Sequence, residues 1–155
     1  MNNRKMPFAH PCFSNEVSPH GRMHLPVAPH CNIKCNFCKP TVDACVHDCR
    51  PGLSRNLFSP KEAVEWLEIN MEKEPSIGII GIAGPGEPLY NEETFETIRM
   101  IREQYPEKEV CLSTNGALLL DKIHILKELE VKTITVTINA CKIETAQKIY
   151  SHIMG

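Results

Sequence analysis

The chain has 155 residues, which is long enough to bury the core of one domain. Its 17 basic and 19 acidic residues give a formal net charge of −2, so the composition does not point to nucleic acid or an anionic membrane surface as a partner. Small molecules or other proteins are the expected partners. The eight cysteines are more than an ordinary metal-free enzyme of a reducing compartment carries.

The amino terminus gives an expectation about the compartment. Residues 1–7 contain no apolar segment followed by a small-residue cleavage site, and no apolar run in the chain is long enough to span a bilayer. We therefore expect a cytoplasmic protein with reduced thiols. In such a compartment, clustered cysteines are read as metal ligands rather than as disulfides.

Residues 1–22 are predicted to form an extended leader that lies against the remaining body, residues 23–155. Prolines and a glycine interrupt any helical or strand periodicity there. Two candidate metal ligands, His10 and Cys12, lie close together in this leader. Met23–Ala28 is short and mostly apolar, and it is predicted to be the first strand, ended by a proline.

Three cysteines follow this strand with the spacing C-x3-C-x2-C: Cys31, Cys35 and Cys38. Loops at the carboxyl ends of strands carry the chemistry in α/β folds. A protein cage for iron and sulfide normally uses four ligands, so three thiols predict a cluster with one iron open to another molecule. The alternative is a structural zinc site with His30 or Cys45 as the fourth ligand.

The polar segment after this loop contains two more cysteines, Cys45 and Cys49. Their spacing matches no metal motif, and we interpret them as spare thiols. An oxidation-sensitive pair and ligands of a second centre are the open alternatives.

Helices and strands are predicted to alternate from residue 59 onward. Ser59 as N-cap, Pro60 at the first helical position and Glu62 at the third indicate a helix that ends before Pro75. The apolar run 77–83 is typical of a strand buried on both faces. Further strands are predicted over 109–113 and 133–138, and further helices over 91–105, 119–130 and 143–153. This order indicates an α/β fold with about four parallel strands and right-handed crossovers.

Polar or glycine-rich segments follow each predicted strand, where they could face one ligand. The segment 84–88 brings glycines, which permit close backbone approach, together with a carboxylate. The alternatives are an ordinary Gly/Pro turn at 84–88, an Asn-Gly turn at 115–116, and a buried, satisfied asparagine at 139. The candidate ligand-binding residues are Gly84, Gly86, Glu87, Pro88, Ser113, Asn115 and Asn139.

The cysteine loop, with the aromatic Phe37 before its third cysteine, resembles that of the radical S-adenosylmethionine (radical SAM) superfamily. In that family the three cysteines hold a [4Fe–4S] cluster whose fourth iron binds the methionine end of S-adenosylmethionine. The segment 84–88, one βα unit later, resembles the part that grips the methionine amino group. The resemblance implies a partial radical SAM barrel, with Cys31, Cys35 and Cys38 on the cluster and the strand-end residues on S-adenosylmethionine.

Longer stretches resemble one branch of the superfamily, which builds the iron–sulfur precursor of the nitrogenase cofactor. They are 10–13, 22–24, 50–52, 81–88, 111–116 and 135–140. The resemblance implies a lyase-class enzyme that joins [4Fe–4S] units into a carbide-containing 8Fe core by methyl transfer and 5′-deoxyadenosyl radical chemistry. It also implies that Cys12, His24 and Cys111 hold a substrate cluster. For Cys111 the alternative is a small buried hydrophobe.

Members of that branch continue the barrel beyond the length of this chain. Three expectations stay open: a fragment, a half-barrel with an exposed edge strand, and a protein completed by a second polypeptide or another copy. The other functional alternatives are a radical SAM enzyme with another substrate and a non-catalytic zinc or iron–sulfur binding module. The expected partners are S-adenosylmethionine and proteins that donate or accept iron–sulfur clusters.

Overall fold

A four-stranded parallel sheet lies at the centre of the computed structural model, which describes residues 10, 18–39, 41–42 and 52–154. In chain order the elements are β1 (Gly21–Pro26), β2 (Ile33–Cys35), β3 (Thr41–Val42), β4 (Leu53–Ser54), α1 (Pro60–Lys73), β5 (Ile77–Ala83), a 3₁₀ turn (Pro88–Tyr90), α2 (Glu92–Gln104), β6 (Glu109–Thr114), α3 (Leu119–Glu128), β7 (Thr133–Val136), α4 (Ile143–Ile149) and β8 (Tyr150–Ile153). The order β1-β5-β6-β7, with parallel pairing throughout, confirms the predicted α/β sheet.

The first long helix begins where its capping residues predict. The Ser59 hydroxyl accepts a hydrogen bond from Glu62 N, and the Glu62 carboxylate accepts one from Ser59 N at 2.8 Å. This reciprocal pair satisfies two backbone donors that would otherwise lack a partner at the helix start. Helix α1 then ends at Lys73, two residues before Pro75, as expected for a residue that cannot continue a helix.

The core lies between the sheet and the helices packed on one of its faces. Strand β5 has the predicted bounds, and its core residues Ile80 and Ile82 are each no more than 1% exposed. Phe95 and Ile98 of α2 are fully buried against this face of the sheet. The opposite face carries Arg22 and His24 of β1 and Glu109 and Cys111 of β6, which alternate with the core-facing residues along their strands.

Several predicted boundaries differ from the structure, and those of helix α2 and strand β6 differ by a single residue. Strand β1 lies two residues earlier than predicted, α3 ends at Glu128, and β7 ends at Val136. The helix predicted over 143–153 is wrong in its last part, because residues 150–153 form β8, antiparallel to β2. Helix α4 buries no side chain, so little packing favours its extension, whereas β2 offers backbone partners for a ladder.

Within the described residues, no helix combines the length and apolar character that crossing a membrane requires.

Candidate functional site

A cleft of about 270 Å³ opens at the carboxyl ends of β5, β6 and β7. It is lined by the three cysteines of the C-x3-C-x2-C loop and by all seven strand-end residues predicted to bind a cofactor. These are Cys31, Cys35, Cys38, Gly84, Gly86, Glu87, Pro88, Ser113, Asn115 and Asn139. The fold therefore brings together two groups of residues that are far apart in the sequence.

The three thiols lie in an environment that disfavours free thiolates. Burial raises the pKa of each cysteine, and neighbouring thiols raise the pKa of Cys35 and Cys38 further. A bound metal would offset this penalty, because it neutralises the sulfur charge. No three Cys, His, Asp or Glu side chains of the described segments converge tightly enough for a single metal ion. In an iron–sulfur cluster the thiolates bind separate irons, so they do not need to meet at one point.

The cysteine loop is fastened to the end of the described chain. Asn36 N donates to Ile149 O and Asn36 Nδ2 donates to Lys148 O, both at 2.8 Å. The Ser151 hydroxyl donates to Lys34 O at 3.0 Å, next to the ladder between β2 and β8. This set of contacts, called here the loop clasp, holds residues 32–36 against α4 and β8. Tyr150 also lines the cleft, which the helix prediction for this segment missed.

The two glycines of segment 84–88 are required because neighbouring residues leave no room for a side chain at either position. A Cβ on Gly84 would lie 2.6 Å from Ala28 O, and a Cβ on Gly86 would lie 2.5 Å from the carbonyl carbon of His30. Gly86 N donates to Ala28 O and Glu87 N donates to His30 O, both at 2.8 Å. The segment thus pairs with the residues that lead into the cysteine loop. An approach of this backbone to a ligand stays a prediction.

Asn91 strengthens this connection and was not predicted as a site residue. Its Nδ2 donates to His30 O at 2.8 Å and to Glu87 O at 2.7 Å, while its Oδ1 accepts from His30 N at 3.2 Å. The side chain is 3% exposed. In the sequence it is indistinguishable from an ordinary helix cap, because its partner His30 lies 61 residues away.

Glu87 connects the ends of β5 and β6. Its carboxylate, 3% exposed, accepts hydrogen bonds from the Thr114 hydroxyl, from Asn115 N at 2.7 Å and from Leu89 N at 3.1 Å. A carboxylate has about four acceptor positions, so these three donors leave room for one more. A cationic amine of a ligand in the cleft would suit that position.

The remaining cleft residues differ in how firmly they are held. Asn115 Nδ2 donates to Asn32 Oδ1 at 2.8 Å, and its Oδ1 accepts from Ala117 N at 3.0 Å. Gly116 has a φ of 82°, so the Asn-Gly turn is present as well. Ser113 and Asn139 are exposed and line the cleft. The alternative of a buried, satisfied asparagine at 139 is therefore wrong.

His24 and Cys111 lie on either side of Gly81, on the sheet face opposite the helices. Both residues are in register with Gly81, and a Cβ on that glycine would lie 2.9 Å from His24 Nε2 and 3.5 Å from Cys111 Sγ. Burial, aided by Arg22, lowers the pKa of His24 and favours the neutral imidazole that binds metals. His24 lines a second cavity of about 360 Å³, which shares Ala83 and Gly84 with the cleft.

The structure describes some of the remaining candidate metal ligands but not others. Cys12, Cys45 and Cys49 lie outside the described residues. Cys111 is 7% exposed, so its burial also fits the alternative of a small hydrophobe. His10 is 2% exposed, and burial lowers its pKa.

The amino-acid sequence matches a known protein family and several known proteins. The family model described as "Radical SAM superfamily" matches residues 25–153. Among similar proteins, the FeMo cofactor biosynthesis protein NifB of Chlorobaculum tepidum is 48% identical over 147 residues, which cover 93% of this chain and 34% of that protein. The NifB protein of Methanocaldococcus infernus is 48% identical over 144 residues, covering 91% and 47%.

The NifB protein of Azotobacter vinelandii is 38% identical over 147 residues, covering 94% of this chain and 29% of that protein. The chain therefore spans about a third to a half of the length of these curated relatives. The family match extends over both the cysteine loop and the sheet that positions the cleft. On this match, the chain belongs to the radical SAM superfamily.

Proposed function

We propose that this chain binds a [4Fe–4S] cluster and S-adenosylmethionine and acts in the biosynthesis of the nitrogenase FeMo cofactor. The observation that carries the proposal is the shared cleft of the three cysteines and the seven strand-end residues. The names of the relatives, from three different organisms, supply the process.

The residues of the cleft fit such a cofactor pair. Cys31, Cys35 and Cys38 offer three soft sulfur ligands on one loop, the donor type that iron–sulfur clusters require. Glu87 offers a carboxylate with spare acceptor capacity for the methionine amino group. When bound, the cluster and S-adenosylmethionine supply the reductive cleavage of a carbon–sulfur bond that releases methionine and a 5′-deoxyadenosyl radical.

The chain's own share of this chemistry is binding, orientation and exclusion of water. Gly84, Gly86 and Pro88 shape the turn that presents Glu87 to the amino group. Ser113, Asn115 and Asn139 face the remaining polar groups of the cofactor, its carboxylate and ribose. The loop clasp and Asn91 keep the cysteines in register with these residues.

The substrate that we propose is a [4Fe–4S] unit held by Cys12, His24 and Cys111. Support comes from His24 and Cys111, which flank Gly81. His24 also lines the cavity of about 360 Å³ that adjoins the cleft. The product would be the carbide-containing 8Fe core, formed by joining this unit to a second [4Fe–4S] unit, with the carbon supplied by a methyl group from one S-adenosylmethionine and the radical by a second molecule. Proteins that deliver and accept iron–sulfur clusters would be the partners, and we expect the process to occur in the cytoplasm.

Counting iron and sulfide after anaerobic reconstitution tests this proposal. The wild-type chain should hold more than about four irons, one cluster's worth, because it carries a second set of ligands. A His24→Ala/Cys111→Ala double variant should fall to about four irons. Cys141→Ala, which removes an exposed free thiol, should keep the wild-type content.

Two results would contradict the proposal. About four irons in both the wild type and the double variant would indicate a radical SAM protein with another substrate. Colourless protein containing zinc, with no cleavage of S-adenosylmethionine under dithionite, would indicate a zinc-binding module.

A further inference from the structure

Asn91 precedes helix α2, every residue of which the structure describes, but its side chain accepts no hydrogen bond from that helix. An asparagine at this N-cap position normally accepts a hydrogen bond from a backbone N–H group of the first turn and so stabilises the helix. The Asn91 amide, 3% exposed, is turned instead toward segments that precede the helix. The side chain is therefore committed to contacts outside the helix that it begins.

The Asn91 amide joins two segments that are far apart in the sequence. Its Nδ2 group donates to His30 O at 2.8 Å and to Glu87 O at 2.7 Å, and its Oδ1 accepts from His30 N at 3.2 Å. This orientation is fixed, because a flipped amide would place its oxygen against two carbonyl oxygens. Glu87 N also donates to His30 O at 2.8 Å, so residues 30 and 87 are held together by several hydrogen bonds.

The two residues joined in this way lie at the two candidate attachment points for S-adenosylmethionine. His30 directly precedes Cys31, the first cysteine of the loop, and both Cys31 and Glu87 line the cleft of about 270 Å³. In the proposed complex, the methionine amino group would meet the Glu87 carboxylate while the same end of the molecule binds the fourth iron. A misplacement of about 1 Å between such points can cost roughly 100-fold in rate, so their spacing matters.

We infer that Asn91 is a positioning residue that sets the spacing between Glu87 and the cysteine loop and thereby determines how tightly the amino group of S-adenosylmethionine is bound. This inference rests on the proposed function. Asn91 lies outside the described lining of the cleft, so it acts through His30 and Glu87 rather than by touching the cofactor. Its replacement should leave the cluster in place, because the loop clasp holds residues 32–36 independently.

The test is the binding of S-adenosylmethionine to the reconstituted chain, followed by electron paramagnetic resonance (EPR) of the reduced cluster. Asn91→Ser and Asn91→Asp introduce residues that cap helices as well as asparagine does, but serine is too short to reach both carbonyl oxygens and aspartate lacks the NH₂ group. At equal iron content, both variants should bind S-adenosylmethionine roughly ten-fold more weakly, the effect of losing one or two net hydrogen bonds. Asn70→Ser makes the same change on α1, where Asn70 donates to Trp66 O, and should bind the cofactor as the wild type does.

A des-amino analogue of S-adenosylmethionine distinguishes positioning from a general structural role. The analogue lacks the group that Glu87 would contact, so the wild type should bind it more weakly than S-adenosylmethionine, and Asn91→Ser should narrow that difference. Equal weakening for both molecules, unchanged binding in both variants, or loss of the cluster from both variants would overturn the inference. A wild-type chain that binds no cluster, or whose cluster does not respond to S-adenosylmethionine, would instead contradict the proposed function.

Discussion

Gly86 shows how one residue can hold two distant segments in register. Its lack of a side chain lets residues 86–87 form backbone hydrogen bonds with residues 28–30, immediately before the cysteine loop. Glycine is therefore needed at position 86 so that two segments of backbone can pack closely against each other. The sequence shows a glycine at position 86 but does not show why glycine is needed there. The backbone that contacts this position lies more than 50 residues earlier in the chain.

Gly86→Ala should destabilise the protein and loosen the cysteine loop. The new methyl group would overlap the His30 carbonyl, which is backbone and cannot rotate away. We expect a loss of about 1–3 kcal/mol in the free energy of unfolding, as for other overpacked sites. Urea denaturation measures the change. Gly21→Ala is the matched control and should cost less, since the nearest atom to its methyl group would be the Ser76 hydroxyl oxygen at 3.0 Å, which can rotate away. Equal losses in both variants would contradict the close pairing of residues 28–30 with 84–87.

At the scale of the element, the loop clasp determines how firmly the cysteines are held. It consists of the β2–β8 ladder and the side-chain hydrogen bonds of Asn36 and Ser151. All of these contacts join residues more than 100 positions apart in the chain. The clasp therefore couples the candidate metal loop to α4 and β8 rather than to its sequence neighbours.

An Asn36→Ala/Ser151→Ala double variant should lose iron faster than the wild type. Each lost hydrogen bond weakens the clasp by about 0.5–1.5 kcal/mol, so chelator-induced iron loss should accelerate by roughly five- to a hundred-fold. Lys148→Ala is the control, since it leaves the backbone acceptor of Asn36 in place. Iron loss at the wild-type rate in the double variant would show that the clasp does not hold the loop.

The elements differ in how well local sequence predicts them. Helix α1 and strand β5 were predicted closely, because a capping box and a continuous apolar run are signals contained within a few residues. Strand β8 was missed, because its partner β2 lies over 100 residues away and the spacing of apolar residues in 143–153 also suits a helix. Pairing between strands that lie far apart in the sequence produces no such local pattern.

The candidate site also contains some residues that the sequence predicts and others that it does not. Seven residues were predicted to share a site because the carboxyl ends of parallel strands lie at one edge of a sheet. All seven line the cleft: Gly84, Gly86, Glu87, Pro88, Ser113, Asn115 and Asn139. Asn91, Asn32 and Tyr150 were not predicted. Their contacts depend on how loops fold back on one another, which strand order alone does not determine.

At the scale of the whole molecule, β7 is the outer strand of the described sheet, and apolar side chains are exposed beside it. Val136 is 40% exposed, Ile138 is 72% exposed, and Leu120 of α3 is 87% exposed. An edge strand flanked by apolar residues is prone to pair with other polypeptide. We propose that further polypeptide covers this edge, whether a continuation of the same chain, a second polypeptide or another copy.

The isolated chain should therefore self-associate through this edge. Sedimentation velocity should show oligomers whose proportion rises with protein concentration. Ile138→Lys should shift the population toward monomer, because a charged residue at an edge opposes pairing. Ile69→Lys, on the exposed face of α1, introduces the same charge elsewhere and should leave the distribution unchanged. A wild-type chain that stays monomeric at all concentrations would contradict self-association.

The binding of S-adenosylmethionine to a cluster on Cys31, Cys35 and Cys38 is tested most directly by EPR of the reduced, anaerobically reconstituted chain with and without that cofactor. We predict a signal typical of a reduced [4Fe–4S] cluster, a change of that signal when S-adenosylmethionine is added, and loss of both in the Cys31→Ala/Cys35→Ala/Cys38→Ala variant. A signal that does not respond to the cofactor, or a triple variant that keeps the same cluster signal, would contradict the account.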